Sequence, residues 1–263
     1  MTFQLTEPIL IIGLGGVGAK LTEKAKKSLN SDCLLISHDQ KDLTAENSIK
    51  ISTKSVVNPS AHLIRGSALE ALDEIKKNIS NYSTIILMSN LAGKAGIGIG
   101  PIISKICREE EKNLLSFTIM PFKFEKERIF QSGIALKRMR EDSHCTIVLD
   151  NDALLDSNPE LTLNQCYEIS NKAIDSMVLS LKSSEISGDT NILSASKTSI
   201  DIEASLKDSL RMLYEDVPPN SIKRSMLYVY HDGNVPVGVL NSVSNITGGI
   251  FDEDSIHVDM SSE

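Results

Sequence analysis

The sequence predicts an α/β fold in which helices cover both faces of a parallel sheet. Over about the first 160 residues, short runs of Ile, Leu and Val alternate with longer stretches whose apolar residues recur every three or four positions. Strands and helices that alternate in this way form parallel sheets. In addition, glycine-rich segments at Gly13–Gly18 and Ala92–Gly100 each lie between an apolar run and a helical stretch.

The elements of this sheet follow one another along the chain. Five apolar runs are predicted strands: Pro8–Ile12, Cys33–Ser37, Thr84–Met88, Leu115–Ile119 and Thr146–Leu149. The stretches between them have the apolar period of a helix, which predicts helices at Val17–Leu29, Ser67–Ile79, Pro101–Glu111 and Glu125–Glu141. Ser67 is the expected N-cap of the second helix.

Beyond residue 160 the alternation ends. The breaker Asn158–Pro159 precedes a long predicted helix at Leu163–Leu181, and Ser183–Ser199 is predicted to be a loop because it is rich in Ser, Thr, Asn and Gly. The remaining predicted elements are a helix at Ile202–Tyr214, a strand at Ser225–Tyr230, a short helix at Pro236–Val243 and a strand at Ser255–Met260. We therefore divide the chain into a main domain (1–160), a central connecting helix (161–182), a linker (183–198) and a small α+β C-terminal domain (199–263).

The composition excludes several classes of protein. The 263 residues include 27 Lys and Arg against 35 Asp and Glu, a net charge of −8, and only 4% are aromatic. An acidic chain with few aromatic residues is not expected to bind nucleic acid. No apolar run approaches the roughly 20 residues of a membrane helix, and the N-terminus has no signal-peptide pattern. We expect a cytoplasmic protein that does not insert into membranes.

The cysteines and histidines give no indication of a metal site. Cys33, Cys107, Cys145 and Cys166 are far apart, and no pair has the C-x-x-C spacing of a zinc or redox site. The five histidines are equally scattered. We therefore expect no metal site that is built from protein ligands alone.

The first glycine-rich segment has the pattern G-x-G-x-x-G, formed by Gly13, Gly15, Gly16 and Gly18. Glycine permits positive φ and close backbone approach, and the following helix N-terminus presents unpaired N–H groups to a phosphate. Asp39 follows 21 residues after Gly18, where a dinucleotide-binding fold places an acid on the ribose. Taken alone, this segment predicts a Rossmann-like sheet that binds NAD(P) or an adenylate.

The second glycine-rich segment changes this interpretation. It contains Gly93, Gly96, Gly98 and Gly100 together with Lys94, again between a predicted strand and a predicted helix. A dinucleotide fold needs one such loop. Two of them at different strand ends of one sheet suit the phosphates of a mononucleotide that is held from two sides.

The order of the motifs resembles the FtsZ/tubulin family over about residues 8–182. The segments that carry the resemblance are Gly13–Gly18 (the opening phosphate loop), Asn58–Pro59, Ala92–Gly98 (the signature G-G-G-T-G-T-G), Pro121–Glu125 (P-F-x-F-E), Leu149–Leu155 (P-N-D-x-L-L) and the helix that bears Tyr167 and Asn171. Ile246–Gly249 and the closing acidic strand fit a shortened second domain less clearly.

The resemblance implies a protein that binds GTP or GDP, with any Mg²⁺ carried by the phosphates. It also implies head-to-tail self-association in a cytoskeletal or cell-division role, with other proteins of those systems as further partners. The candidate nucleotide-binding residues are those that the resemblance implies, together with Asp39, which follows the first glycine-rich segment. They are Gly13, Gly15, Gly16, Gly18, Asp39, Asn58, Gly93, Lys94, Gly96, Gly98, Glu125, Arg128, Asn151, Tyr167 and Asn171. Among these, Gly15, Gly16, Gly96 and Gly98 are expected to present N–H groups to phosphates.

The sequence departs from the family pattern at the residues that do chemistry. Ala95 and Ile97 replace the signature threonines, Ala92 and Lys94 replace two glycines, and an alanine at a position of positive φ would be strained. Lys94 offers a new cation for a phosphate. On the long helix Lys172 stands where the family has an acid that reads guanine, and a cation cannot accept the guanine N–H groups.

The acids that the family uses for hydrolysis are also incomplete. Asp201 matches one of the two acids, and Ala204 stands in place of the other, with Glu203 beside it. Asp201 and Glu203 are the candidate catalytic residues, although both are equally suited to capping the helix that follows. The sequence thus leaves three hypotheses: an FtsZ/tubulin-like protein with weak or lost GTPase activity, an NAD(P)- or adenylate-binding enzyme, and a scaffold of the same fold that needs no nucleotide.

Overall fold

The computed structural model describes residues 2–54, 57–182, 186–197, 201–218, 221, 225–231 and 256–262. The strands are β1 (Thr2–Phe3), β2 (Ile9–Leu14), β3 (Asp32–Ser37), β4 (Ser48–Lys50), β5 (Thr84–Asn90), β6 (Asn113–Met120), β7 (Cys145–Asp150), β8 (Ile186–Ser187), β9 (Thr190–Ile192), β10 (Ser225–His231) and β11 (Ile256–Ser262). The helices are α1 (Gly15–Leu29), α2 (Ala61–Glu70), α3 (Leu72–Ile79), α4 (Lys94–Glu109), α5 (Lys126–Asp142), α6 (Asn151–Ser157), α7 (Leu163–Ser180) and α8 (Ile202–Asp216).

The predicted parallel sheet is confirmed. Its seven strands have the order β4-β3-β2-β5-β6-β7-β9, and every neighbouring pair is parallel. The chain order reverses between β2 and β5, and ligands of open α/β sheets bind at the carboxyl ends of strands beside such a reversal. Since α1 follows β2 and α4 follows β5, both glycine-rich segments lie at this place.

The core explains why the central strands were readable from the sequence. Every residue of β2 and β5 is buried, and strands that are buried on both faces appear as continuous apolar runs. Ile12, Leu87 and Ile103 are fully buried in one cluster that joins the sheet to its helices. The two glycine-rich turns therefore each follow a fully buried strand of the core.

Three short strands and the start of one helix differ from the prediction, because their sequences are polar or glycine-rich at these places. The stretch predicted as a loop contains β8 and β9, and β9 pairs with β7 at the sheet edge. β4, also unpredicted, is the opposite edge. α4 begins at Lys94, seven residues before the predicted start at Pro101, so most of the second glycine-rich segment is helical.

The helical region after β4 also begins earlier than predicted. α2 starts at Ala61, and Ser60 is its N-cap, because its side chain accepts a hydrogen bond from Leu63 N. The predicted cap, Ser67, lies inside this helix. Asn151–Ser157, where no element was predicted, forms α6.

The chain divides into two compact units. The first comprises Met1–Asp152 and Leu181–Leu193 and contains the seven-stranded sheet, and the second comprises Ala153–Ser180 and Ser194–Glu263. In the second unit, α7 and α8 match predicted helices, and β10 and β11 form a parallel pair. The predicted helix at 236–243 and the motif at 246–249 lie outside the described residues. Within the described part of the chain, no helix combines the length and hydropathy needed to cross a membrane.

Candidate functional site

The first glycine-rich turn leaves the N-terminus of α1 open. The helix begins at Gly15 and has no side-chain cap, so the N–H groups of its first turn receive no partner from the helix. Gly15 has a φ of +66°, which a side chain would make costly. A helix N-terminus of this kind attracts an anion.

The outer glycines of this turn have a packing role. A Cβ on Gly13 would lie 2.5 Å from Thr22 Oγ1, and a Cβ on Gly18 would lie 2.6 Å from Met88 O. These two glycines allow α1 to approach the sheet closely. Gly15 and Gly16 are therefore the ones placed to bind a ligand.

The acid beside this turn is Asp42 rather than the predicted Asp39. The Asp39 carboxylate accepts a hydrogen bond from Lys41 N at 3.0 Å and so caps the three-ten turn at 40–42. The Asp42 carboxylate accepts a hydrogen bond from Ser37 Oγ at 2.6 Å, and its Oδ1 would lie 2.8 Å from a Cβ on Gly16. The sequence spacing singled out Asp39 as a ribose-binding acid, but in the fold of this loop Asp42 is the acid that faces the glycines.

At the start of the second glycine-rich segment, the backbone N–H and C=O groups of residues 91–93 form hydrogen bonds with other groups of the protein. Asn90 Oδ1 accepts from Ala92 N at 2.9 Å, Arg128 Nη1 donates to Ala92 O at 3.0 Å, and Ser132 Oγ donates to Leu91 O at 2.6 Å. The other three groups have backbone partners: Leu91 N bonds to Ile119 O, Gly93 N to Asn90 O, and Ile97 N to Gly93 O. No N–H group of residues 91–93 is therefore left for a phosphate, including that of Gly93, which the resemblance counts among the nucleotide-binding residues.

The remaining donors of this segment lie one step later, in the first turn of α4. This helix has no side-chain cap, so the N–H groups of Lys94, Ala95 and Gly96 have no partner within the helix. Sequence reasoning did not find Asn90 or Ser132, because a lone Asn and a lone Ser carry no motif. The contact of Ser132 with Leu91 appears only when α5 lies beside the segment that follows β5.

The later glycines of this segment pack α4 against its neighbours. A Cβ on Gly96 would overlap Asn90 O, one on Gly98 would lie 2.8 Å from Ala61 O, and one on Gly100 would lie 2.8 Å from Met139 Sδ. Gly98 is in the second turn of α4, where its N–H belongs to the helix, so we do not retain it among the candidate phosphate donors. The expected strain at Ala92 and Ala95 is also wrong, because neither has a positive φ.

Two predicted site residues, Asn58 and Lys94, meet at the start of α4. The Lys94 ammonium donates to Asn58 Oδ1 and, at 3.4 Å, to Asn58 O. Asn58 has a φ of +55°, which Asn tolerates better than most residues. The contact holds a cation beside the open N-terminus of α4.

Glu125 and Arg128 bind each other. Arg128 Nη1 donates to Glu125 Oε1 at 2.8 Å, and Glu125 Oε2 accepts from Phe122 N at 3.3 Å. Arg128 Nη1 also donates to Ala92 O, so Arg128 helps to position the second segment. The buried Asp152, which the sequence did not single out, accepts from Lys123 N at 2.8 Å and pairs with Lys123 Nζ at 2.7 Å. Asn151 is fully buried.

The other predicted residues lie in the second unit. Tyr167 and Asn171 are one turn apart on α7 and are half-buried, whereas Lys172 is exposed. Asp201 is the N-cap of α8, and its carboxylate accepts from Glu203 N at 3.0 Å and Ala204 N at 3.3 Å. Glu203 is exposed in the first turn. The capping interpretation therefore describes the observed contacts of Asp201.

The thiols are not suited to chemistry. Burial raises the pKa of Cys107 and of Cys145 to about 12, so both are protonated near neutral pH. Among the described residues, no group of three or more His, Cys, Asp or Glu side chains is placed to hold a metal ion.

Comparison with known proteins finds the same family that the order of the motifs resembles. The model of the Tubulin/FtsZ family, GTPase domain, matches residues 8–159. Cell division protein FtsZ 2 of Halobacterium salinarum is 26% identical over 178 residues, which cover 63% of this chain and 44% of that protein. Cell division protein FtsZ of Aquifex aeolicus is 26% identical over 185 residues, with 65% and 48% covered. The chain thus spans about half the length of the curated relatives that it matches.

Solved structures share the fold at low sequence identity. An FtsZ mutant from M. jannaschii superimposes with a TM-score of 0.77 at 16% identity, covering 97% of this chain and 86% of that chain. CetZ from Methanosaeta thermophila has a TM-score of 0.68 at 16% identity, with 97% and 83% covered.

Proposed function

Because this chain belongs to the tubulin/FtsZ family, we propose that it binds GTP or GDP at the carboxyl ends of β2 and β5. The observation that carries the proposal is the pair of uncapped helix N-termini, α1 and α4, which follow adjacent parallel strands. The ligand phosphates would accept hydrogen bonds from the N–H groups of Gly15 and Gly16 on one side and of Lys94, Ala95 and Gly96 on the other. Both helix dipoles would favour the bound anion.

The side chains around these helices support a phosphate ligand. Lys94 supplies a positive charge at the start of α4, and Asn58 holds it there. The Asp42 carboxylate suits Mg²⁺, which proteins commonly bind through one or two carboxylates together with substrate phosphates. In this arrangement Mg²⁺ would neutralise the repulsion between Asp42 and the phosphates. We keep Tyr167, Asn171 and Asn151 as candidate base-side residues on the resemblance alone.

We further propose that copies of the chain associate head to tail in a cytoskeletal or cell-division role, and that GTP hydrolysis is weak or lost. The candidate acids support weak hydrolysis, since Asp201 already accepts two N–H groups and Ala204 has no carboxylate. The curated relatives are named cell division proteins, and one similar structure is described as an FtsZ dimer.

One observation favours a second candidate, a scaffold that needs no nucleotide. The backbone of residues 91–93 is fully hydrogen-bonded within the protein, so this segment is ordered without a ligand. The NAD(P) or adenylate alternative is weaker, because Asp39 caps its own turn and the second helix N-terminus has no role in it.

The deciding experiment is a calorimetric titration of the nucleotide-free protein with GTP, GDP, ATP and NAD, with and without Mg²⁺. We expect binding of guanine nucleotides and none of NAD. Tighter binding of NAD than of GTP would restore the dehydrogenase-like interpretation, and no binding of any of the four would favour the scaffold.

Replacing Lys94 with methionine is expected to weaken GTP binding about tenfold, because one charge-assisted contact to a phosphate is lost. Lys94→Arg should retain most of the affinity. Lys105→Met is the matched control, since Lys105 is an exposed lysine of the same helix that pairs with Glu109. Equal affinities of Lys94→Met and Lys105→Met, measured by the same titration, would exclude Lys94 from the site.

Replacing Lys172 with aspartate is expected to raise the preference for GTP over ATP. An acid at this position accepts the N–H donors of guanine, and a lysine cannot. Competition titrations of the two nucleotides measure the ratio of affinities, with Lys182→Asp as a control for the charge change. If the native protein already rejects ATP by several orders of magnitude, this interpretation of α7 is wrong.

A further inference from the structure

The outer face of α5 is an apolar and charged surface that the site does not use. On the inner side of this helix Ser132, Ala135 and Met139 are buried. On the opposite side Phe130 is 75% exposed and Ile134 is 39% exposed. The residues of this outer face recur every three or four positions, as those of one helix face do: Lys126, Phe130, Gly133, Ile134, Lys137 and Glu141.

This face is open, and no residue that the structure describes neutralises its charges. A Cβ on Gly133 would meet no atom within 4 Å, so there is a gap in the middle of the face. Lys126, Lys137 and Glu141 form no ion pair with any other residue that the structure describes. Large exposed aromatic side chains of this kind usually mark an interaction surface.

We propose that this face binds the same face of a second copy of the chain, with the two α5 helices antiparallel about a two-fold axis between Gly133 and Ile134. In such a pair each residue faces the one at the same distance on the other side of the axis. Lys126 then faces the partner's Glu141, Phe130 faces the partner's Lys137, and Gly133 faces the partner's Ile134.

Each of these three contacts is favourable. Lys126 and the partner's Glu141 have opposite charges, and the symmetry forms this ion pair twice. The ammonium of the partner's Lys137 can lie over the ring of Phe130 as a cation–π contact. The missing side chain of Gly133 leaves space for the partner's Ile134, so that the helices can approach closely at a crossing angle of about 20°.

Other arrangements and occupants fit this face less well. A parallel pair would set Lys126 against the partner's Lys126, which is repulsive. An anionic membrane would favour a more basic surface, since the face carries two lysines and one glutamate. The proposed dimer also differs from head-to-tail association, because a two-fold contact closes at two copies and a head-to-tail contact continues into a filament. It therefore stands independently of the proposed function.

The test is sedimentation equilibrium of the nucleotide-free full chain over a range of concentrations. The native protein is expected to form a dimer that does not grow further. Phe130→Glu should weaken dimerisation at least thirtyfold, which is roughly the effect of losing a central interface residue. Leu69→Glu is the matched control, because Leu69 is an exposed leucine of α2. It should leave the dimer unchanged.

A charge exchange tests the register. Lys126→Glu alone and Glu141→Lys alone should each weaken the dimer about tenfold, since two attractive pairs become repulsive. The double variant should restore it. Residues 126 and 141 lie about 22 Å apart along one helix, so their rescue of each other can only arise between copies.

The outcomes decide the proposal. A native protein that is monomeric at every concentration, or an open series that Phe130→Glu leaves unchanged, overturns it. A dimer that Phe130→Glu leaves intact, or a double variant as weak as the single variants, overturns this face and this register.

Discussion

Replacing Gly16 with valine is expected to weaken GTP binding at least a hundredfold while the protein stays folded. Gly16 lies in the first turn of α1, and its N–H group is one of the proposed phosphate donors. A side chain there would fill the space through which a phosphate reaches the helix N-terminus. Loss of two charge-assisted hydrogen bonds of about 1.5 kcal/mol each accounts for an effect of this size.

The fold should survive because a side chain at Gly16 displaces only the end of the Asp42 side chain, whose Oδ1 lies 2.8 Å from the Cβ position. A Cβ there would contact only Asp42, at the far end of a side chain, whereas Gly13 and Gly18 would meet backbone atoms and Gly15 has a positive φ. Gly66→Val on α2 is the control, because a Cβ on Gly66 meets nothing within 4 Å. Calorimetry measures the affinity and thermal unfolding measures the stability. Native affinity in a folded Gly16→Val protein would show that the phosphates do not bind at α1.

The same test is less clear at the second segment, although the sequence made Gly96 equivalent to Gly16. A Cβ on Gly96 would overlap Asn90 O, so a bulky residue there would displace α4 and the end of β5 together. Loss of binding in such a variant would not separate a damaged site from a damaged fold.

The sequence predicted the central sheet because parallel strands that are buried on both faces are continuous apolar runs, as in β2 and β5. The family membership inferred from the motif order is confirmed by the family model that matches residues 8–159. The edge strands were not predicted, because they are short and are not continuous apolar runs. β9 (Thr190–Ile192) is partly exposed and has no apolar pattern that would mark it as a strand. It is a strand only because it pairs with β7.

The candidate site was partly readable. Gly15 and Gly16 were found because a strand–glycine–helix pattern has a local cause. The start of α4 at Lys94 was not predicted, because a run of glycines in a sequence resembles a loop. Only the structure shows the neighbouring atoms that leave no room for side chains at these positions. The contacts of Arg128 and Ser132 with residues 91 and 92 join positions about 40 residues apart, and no local pattern encodes such contacts.

GTP turnover is expected to be slow and to rise with protein concentration. In the proposed head-to-tail arrangement the acids of one copy act on the nucleotide of its neighbour, so dilution separates them. A water-orienting or basic group contributes about 10²–10⁴-fold to such a rate. Asp201 is engaged as a helix cap, and only the exposed Glu203 remains beside it.

Replacing Ala204 with aspartate should increase turnover per molecule at high protein concentration. Ala204 is exposed in the first turn of α8, where a negative charge also favours the helix dipole, so the variant should fold. Ala204→Asn is the matched control, because it has the same shape and no charge, and it should stay at the native rate. Phosphate release measured across a dilution series distinguishes the cases. A fast rate that is independent of concentration in the native protein would mean that one copy holds a complete catalytic site, and Asp201 and Glu203 would then lose their proposed role.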